Sequence, residues 1–379
     1  MQSSLSDEDI LKVIDDTILN FSRNRYISIK ERSSLRKNLF NTLRGLDILQ
    51  ELIDDPTISE IMVNGCNDIF IEQNGSLKKT ELSFESNERL HNIIQQIVAY
   101  SNRRVNETTP IADARLKDGS RVNIVLNPIA INGPIITIRK FSNSPLTIER
   151  LINSNSVSKE AADFLEKLVI SGYNIFVSGG TSSGKTTFLN VLSNFIPKEE
   201  RVITIEDSAE LSLCGVDNLV RLEMRQANVE GSGAITIRDL IHSALRMRPD
   251  RIVVGEVRGA EAFDMLQAMN TGHDGCMSTG HANSCLDMLN RLLAMSLSAV
   301  DIPLTALKSQ IASAIDIIIH LGRLSDKSRC VLEICEVAQF DGNDIILNPL
   351  FVFDHASGLI PTGNKLIHTD KLIMHGLNL

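Results

Sequence analysis

The chain has 379 residues, of which 43% are hydrophobic and 22% charged, and its formal net charge is −9. This length allows two or more domains with hydrophobic cores. The acidic charge, the absence of tryptophan and the 4% aromatic content argue against nucleic-acid binding as the main function. The first residues are acidic, so no signal peptide is predicted. No run reaches 18 apolar residues, so no membrane span is predicted.

The six cysteines are scattered along the chain, at positions 66, 214, 276, 285, 330 and 335. No two of them form a Cys-x-x-Cys pair, so their spacing predicts neither a zinc site nor a disulfide framework. Reduced thiols are therefore expected, as is normal for a protein of the cytoplasm.

Residues 1–53 are predicted to form a helical N-terminal extension. Ser6 and Asp9 resemble a capping box, in which each side chain bonds to the backbone N–H of the other residue. Apolar residues then recur at helical spacing as far as Phe21. A second helix is predicted over 29–44, and the Asp-Asp-Pro sequence at 54–56 ends the helical pattern.

Residues 54–140 change to short segments of alternating hydrophobicity, which predict an α+β module with its own sheet. A helix is predicted over 86–100. The strands are predicted over 58–63, 69–72, 112–116, 121–126 and 135–139. Residues 141–158 are rich in serine and asparagine and are predicted to be a linker between domains.

From residue 159 to 379 strands and helices are predicted to alternate, which is typical of a parallel sheet in an α/β domain. The predicted strands are 173–178, 201–205, 251–255 and 276–280. In such sheets ligands bind beyond the carboxyl ends of the strands. The residues that follow these strands are therefore the candidates for a functional site.

The sequence Gly-Gly-Thr-Ser-Ser-Gly-Lys-Thr at 179–186 fits the phosphate-binding P-loop and stands between a predicted strand and a predicted helix. Gly179 and Gly184 let the backbone wrap around phosphates, and the helix N-terminus favours an anion. Lys185 is expected to neutralise the β- and γ-phosphates, and the Thr186 hydroxyl to bind Mg²⁺. The expected nucleotide contacts are Gly179, Gly180, Thr181, Ser182, Ser183, Gly184, Lys185, Thr186 and Thr187.

Polar residues also follow the other predicted strands. Glu206 ends one strand and is followed by Glu210, Glu256 ends the next, and His281 ends the third. Carboxylates at such positions hold Mg²⁺ or orient an attacking water, and a histidine there can sense the γ-phosphate. From the residues alone, a solvated acidic loop and a purely structural histidine remain open alternatives.

Four motifs in order resemble the type II/IV secretion ATPase superfamily, and within it the CpaF/TadA group, the motors of Tad-type (Flp) pili. They lie at 179–186, 205–211, 246–259 and 270–283. Further similarity at 109–116, 118–123 and 136–141 extends the resemblance over about residues 50–355. It implies a RecA-like P-loop NTPase core with a smaller N-terminal α+β module and a helical extension, and hydrolysis of ATP with Mg²⁺.

The resemblance also implies a role for each matched residue. Lys185 and Thr186 correspond to the Walker A motif, and Glu256 to the family's atypical Walker B glutamate, which holds Mg²⁺ through water. Glu206, with Glu210 beside it, falls in the acidic "Asp box" and is expected to orient the attacking water, and His281 matches the His box. Three arginines lie where the family carries arginines that reach the nucleotide, and each is a candidate arginine finger or a surface salt bridge: Arg115, Arg121 and Arg139.

The resemblance implies a homo-hexamer in the cytoplasm, associated peripherally with the inner membrane through platform proteins of a pilus or secretion apparatus. No direct nucleic-acid partner is expected. The alternatives are a conjugative or type IV secretion ATPase, a nucleic-acid translocase, and a nucleotide-binding scaffold without turnover. The lack of a Cys-x-x-Cys zinc module fits the CpaF-like group. Residues 1–50 and 355–379 carry no recognised motif.

Overall fold

A computed structural model describes residues 6–23, 26–100, 104–141, 146–227 and 231–378. The chain divides into two compact units, here called the N-terminal unit (1–143) and the C-terminal unit (144–379). Each unit has its own sheet and its own hydrophobic core. Among the described residues, no helix has the length and hydropathy that crossing a bilayer requires.

The N-terminal unit consists of helices and one sheet, whose strands differ in length. Its helices are α1 (Asp7–Ser22), α2 (Ile29–Arg44), α3 (Ile48–Asp54) and α4 (Asn87–Tyr100). Its strands are β1 (Ile58–Asn64), β2 (Ile69–Gln73), β3 (Ser76–Lys79), β4 (Ile111–Arg115), β5 (Arg121–Val125) and β6 (Ile135–Arg139). The helices and strands predicted for this part are confirmed, and β3 and α3 are additional.

The predicted start of α1 is confirmed in detail. The Ser6 hydroxyl accepts the backbone N–H of Asp9 at 3.2 Å, and the Asp9 carboxylate accepts the backbone N–H of Ser6 at 3.2 Å. Two orphan donors of the first turn are satisfied in this way. The N-terminal helices also bond to the rest of the unit, because Arg89 of α4 donates to Asp47 at 2.6 Å and to the carbonyl of Thr42 at 2.8 Å.

The sheet of the N-terminal unit has the order β3-β2-β1-β6-β5-β4, and its neighbouring strands are antiparallel. One face is apolar because residues along a strand alternate between the two faces. Helix α4 packs its apolar side with this face, through Leu90, Ile93, Ile94, Ile97 and Val98. The other face carries the polar residues of the strands.

The C-terminal unit is larger. Its helices are α5 (Ile148–Asn153), α6 (Lys159–Ile170), α7 (Lys185–Ser193), α8 (Ile237–Ala244), α9 (Glu261–Asn270), α10 (Cys285–Leu297), α11 (Leu304–Ala314) and α12 (Asp370–Met374). Its strands are β7 (Ile175–Gly179), β8 (Arg201–Glu206), β9 (Asn218–Glu223), β10 (Arg251–Val254), β11 (Met277–His281), β12 (Ile317–Arg323), β13 (Arg329–Phe340), β14 (Ile345–Asp354) and β15 (Gly358–Pro361).

The sheet of the C-terminal unit has the order β15-β14-β13-β12-β7-β11-β10-β8-β9. The pairs from β12 to β9 are parallel, as predicted. The pairs from β12 to β15 are antiparallel, and this edge lies beyond the four strands that were predicted from the sequence. The difference arises because β12 to β15 are joined by short turns, without the helical crossovers that parallel strands need.

Helices cover both faces of this sheet. Along β7, Ile175 and Val177 face a core that includes α6 and α7, while Phe176 faces a core that includes α8 to α11. All five residues of β7 are buried. The fold is therefore a three-layer α/β/α arrangement, and the loop that follows β7 starts from the rigid centre of the sheet.

The segment predicted as a linker, 141–158, contains ordered structure. Residues 142–145 lie outside the described residues, but α5 lies within the predicted linker and buries Leu151 in the core of the C-terminal unit. The predicted end of the linker is therefore part of this unit. The capping box predicted at Thr236 and Asp239 is confirmed at the start of α8.

Within the C-terminal unit, part of the segment 356–378 is bonded to Glu336 of β13, which is 1% exposed. Its carboxylate accepts the backbone N–H groups of Ile367 and His368 at 2.7–3.0 Å and the side-chain amide of Asn348 at 2.9 Å. The segment is thus fixed to β13 by a buried charge with several donors, which was not evident from the sequence.

Replacing this carboxylate should loosen the C-terminal segment. We expect Glu336→Ala to lower the free energy of unfolding by about 1–3 kcal/mol, because the partly buried backbone N–H groups of Ile367 and His368 lose their acceptor. Chemical denaturation measures this change, and limited proteolysis after residue 361 should become faster. Gln339→Ala, an exposed position on the same strand, is the control. Equal stability of both variants would contradict this role for Glu336.

Candidate nucleotide-binding site

The predicted P-loop leaves the carboxyl end of β7 and enters α7 at Lys185. A β-carbon at Gly179 would lie 2.5 Å from Oγ of Ser183 and 2.6 Å from the carbonyl oxygen of Leu321, so the turn tolerates only glycine here. Gly180, Thr181 and Ser182 form the exposed tip of the loop. Ser183 and Lys185 are buried, and Thr186 and Thr187 are half-buried in the first turn of α7.

The side chain of Lys185 folds back over the loop. Its Nζ donates to the carbonyl oxygens of Gly179 at 3.1 Å and Gly180 at 2.9 Å. The same nitrogen lies 3.3 Å from Nδ1 of His281. A positive charge is thereby held within the concave side of the loop, at the N-terminus of α7, which is the arrangement that favours a phosphate group.

His281 connects the lysine to Glu256. It ends β11, which pairs in parallel with β7 so that His281 lies opposite Gly179. Its Nε2 lies 3.0 Å from Oε1 of Glu256, while its Nδ1 faces Lys185. A neutral imidazole can accept from Lys185 at Nδ1, but its approach to Glu256 is a close contact and not a hydrogen bond, since Oε1 of Glu256 has no hydrogen-bond partner within the described residues. Burial and then the positive charge of Lys185 lower the pKa of His281, which favours this neutral form.

Glu206 lies at the carboxyl end of β8 and is 3% exposed. Its Oε2 accepts the backbone N–H groups of Glu210 at 2.6 Å and Leu211 at 2.8 Å. Within the described residues, its Oε1 is buried and has no hydrogen-bond partner. Burial raises the pKa of Glu206, although the two backbone donors act in the opposite direction.

Glu206 and the Glu256 segment approach closely because of Gly255. A β-carbon at Gly255 would lie 3.1 Å from Cγ of Glu206. The glycine that follows β10 and precedes Glu256 therefore leaves room for the Glu206 side chain. Glu210 contributes its backbone N–H to Glu206, so the structure gives it a positioning contact beside the predicted catalytic residue.

Arg258 is a charged residue of this site that the sequence analysis did not select. Its guanidinium donates to Oε2 of Glu256 at 2.9 Å and lies 3.5 Å from the carboxylate of Asp207. The hydrogen bond with Glu256 raises the pKa of Arg258. The sequence feature that could have identified Arg258 is its position two residues after Glu256. These side chains border a cavity of about 430 Å³ between the strand ends and the start of α8.

The three candidate arginines lie in the N-terminal unit, in one row across its sheet. Arg115 of β4 is opposite Arg121 of β5, and Arg121 is opposite Arg139 of β6. Glu60 of β1 extends the row and lies 3.9 Å from Arg139. Three cationic side chains therefore lie side by side on one face of this sheet, with an acidic side chain at the end of the row.

The C-terminal unit thus places a cationic loop beside three polar residues. Lys185, His281 and Glu256 form a continuous contact chain, and Glu206, which packs against Gly255, has one carboxylate oxygen without a hydrogen-bond partner among the described residues. A buried acceptor of this kind fits a water molecule, which it would orient by hydrogen bonding. The catalytic and binding roles of the individual residues stay predictions.

Comparison with known proteins supports the family resemblance that was predicted from the sequence. The chain matches the family model "Type II/IV secretion system protein" over residues 42–363. It is 40% identical over 289 residues to an uncharacterized protein of Methanocaldococcus jannaschii, a match that covers 73% of this chain and 40% of that protein. The chain therefore spans well under half of that relative's length.

A second relative matches over most of its length. It is a putative conjugal transfer protein of Mycobacterium tuberculosis (strain CDC 1551), 33% identical over 79% of this chain and 86% of that protein. Among solved structures, the ATPase DotB of Legionella pneumophila is similar with a TM-score of 0.53 and 22% identity, over 76% of this chain and 79% of that one. This likeness confirms the predicted RecA-like P-loop fold.

Proposed function

The chain belongs to the type II/IV secretion system protein family, and we propose that it is a Mg²⁺-dependent ATPase that powers assembly of a Tad-type pilus. In this proposal it works as a homo-hexamer against inner-membrane platform proteins. The stretches at 109–116, 118–123 and 136–141, which resemble the N-terminal module of the CpaF/TadA group, support placement in that group within the family. Six identical subunits would each supply one nucleotide site.

The observation that carries this proposal is the contact chain from Lys185 through His281 to Glu256. Lys185 would bind the β- and γ-phosphates, and His281 would report the presence of the γ-phosphate to Glu256. Thr186, and Glu256 through water, would hold Mg²⁺, which when bound supplies positive charge to the phosphates. Glu206 would orient the attacking water through its unpartnered oxygen.

Glu256→Gln tests both turnover and assembly. We expect ATP hydrolysis to fall about 100- to 1000-fold, because the carboxylate that contacts His281 and Arg258 loses its charge. Wild-type activity per subunit should rise with protein concentration as hexamers form, measured by phosphate release with sizing in parallel. Glu199→Gln, an exposed glutamate in the same unit, is the control.

Two results would contradict this proposal. Tight ATP binding with no turnover in any oligomer would favour a nucleotide-binding scaffold. A monomer as active per subunit as the hexamer would remove the need for a ring.

The arginine row gives a further prediction. We expect Arg121→Ala, at its centre, to lower kcat at least about 100-fold, because an arginine finger stabilises the charge on the transferring phosphoryl oxygens. Binding of ATP should change much less. Steady-state kinetics and nucleotide titration separate these effects, with Lys78→Ala on exposed β3 as the control. A change in KM alone would show that Arg121 is not the finger.

A conjugative secretion ATPase is the second candidate function, and it is favoured by the likeness to the putative conjugal transfer protein of Mycobacterium tuberculosis. The two candidates share the site and differ in the apparatus that they drive. In the source organism, an allele encoding Glu256→Gln should abolish surface pili under the first function and DNA transfer under the second. Stimulation of ATP hydrolysis by single-stranded DNA would instead favour a translocase.

A further inference from the structure

Two cysteines and a glutamate form a cluster outside the nucleotide site. Cys285 is the first residue of α10, and Glu333 and Cys335 lie on β13. The Sγ atoms of both cysteines and a carboxylate oxygen of Glu333 all lie within 4.8 Å of one another. Both cysteines are 0% exposed, and Glu333 is half-buried. The cluster therefore offers three metal-ligating atoms, and Glu333 is its one partly exposed member.

The fold creates this cluster from distant parts of the chain. Glu333 and Cys335 are two residues apart on a strand, so both side chains lie on one face of the sheet. On the neighbouring strand β12, Cys335 pairs with Ile318 and Glu333 pairs with His320. Cys285 packs in the same core layer and lies 3.6 Å from the carbonyl oxygen of Ile318.

Ordinary core packing explains the cluster poorly. The thiol of Cys285 donates a long hydrogen bond to the carbonyl oxygen of Ile318, at 3.6 Å. Thiols are weak donors, so they compensate little for a carboxylate that is drawn into an apolar layer. Thiolates together with a carboxylate are, however, a ligand set that binds zinc. The combination therefore indicates a cation better than it indicates a hydrophobic contact.

We propose that Cys285, Glu333 and Cys335 form a binding site for a thiophilic divalent cation, for which Zn²⁺ fits best. Tetrahedral zinc, with bonds of about 2.0–2.3 Å, places its ligand atoms roughly 3.5–3.8 Å apart. The observed limit of 4.8 Å needs side-chain adjustments of only about 1 Å. Three protein ligands leave the fourth position for water. Mg²⁺ prefers oxygen ligands, so this site differs from that of the nucleotide.

The cation would join two elements next to the nucleotide site. Helix α10 begins four residues after His281, and β13 pairs with β12, the neighbour of β7. Metal–ligand bonds between α10 and β13 would hold together the part of the sheet that contains β7, which leads into the P-loop, and β11, which ends at His281. We therefore expect the bound cation to stabilise the C-terminal unit against unfolding.

Metal content of the full-length protein tests this site without any measurement of ATP hydrolysis. The protein is treated with EDTA, desalted, incubated with ZnCl₂, desalted again and analysed for zinc. The matched variants are Cys285→Ala and Cys335→Ala, with Cys330→Ala as the control, because Cys330 is another buried cysteine of β13. Cobalt substitution provides a second readout, since Co²⁺ bound to thiolates gives a characteristic absorption band.

We expect one zinc per chain in the wild type and in Cys330→Ala, and none in the other two variants. Zinc should also raise the Tm of the wild type but not that of Cys335→Ala. Should the alanine variants fail to fold, Glu333→Gln keeps both thiols and is expected to weaken zinc affinity at least about 10-fold. Absence of zinc from the wild type, or equal zinc in all variants, would overturn the proposal.

Discussion

Lys185→Ala is expected to lower ATP hydrolysis about 100- to 1000-fold and to weaken ATP binding as well. The reason is that Lys185 is the buried cation at the centre of the loop, within 3.3 Å of His281 and bonded to two loop carbonyls. Its loss removes positive charge from the position that the β- and γ-phosphates would occupy. Binding of a fluorescent ATP analogue and phosphate release measure the two effects separately.

The matched control for this variant is Lys198→Ala, which removes an exposed lysine of the same unit and should leave both quantities unchanged. Circular dichroism and sizing would verify that both variants fold alike. A Lys185→Ala protein that bound ATP with wild-type affinity would contradict the predicted phosphate contact. The nucleotide site would then have to lie elsewhere in the C-terminal unit.

Glu206→Gln is expected to lower kcat by a factor of about 100 to 10,000 while leaving the affinity for ATP nearly unchanged. Glutamine keeps the shape of the side chain, so its amide oxygen can still accept the backbone N–H groups of Glu210 and Leu211. The variant replaces the unpartnered oxygen by an NH₂ group, which donates and cannot accept a proton from water. The expected loss is therefore in the chemical step.

Single-turnover hydrolysis and equilibrium ATP binding distinguish this role from a structural one. A structural role would lower Tm and binding together, whereas loss of water orientation lowers only the rate. Glu206→Ala is less informative, because it would leave two backbone donors without an acceptor. If Glu206→Gln hydrolysed ATP at the wild-type rate, Glu256 would become the better candidate for the residue that orients water.

Much of the fold could be predicted because its signals are local. Alternating and buried strands, helical spacing and capping boxes depend on neighbouring residues, so β7, β8, β10 and β11 were identified from the sequence. The antiparallel edge was missed because it has no crossover helices. The packing of residues beyond 355 was missed because it depends on Glu336, whose partners lie more than ten residues away along the chain.

The candidate site could likewise be predicted only in part. The loop at 179–186 and the residues after each strand could be selected because parallel strands end at the same edge of a sheet. The contacts among them could not be predicted, since the positions of side chains depend on packing. Arg258 reaches Glu256 and Asp207 only because of the course of the chain after β10. Its sequence position alone favoured no role.

The sequence by itself determined that this chain has a P-loop between a strand and a helix, together with polar residues at three further strand ends. It did so because these features follow from residue types at short, fixed spacing. Only the tertiary structure decided which groups meet. It placed His281 between Lys185 and Glu256, and it brought Cys285 to Glu333 and Cys335 across about fifty residues of chain. Contacts of this kind depend on strand order and register, which short spacing does not encode.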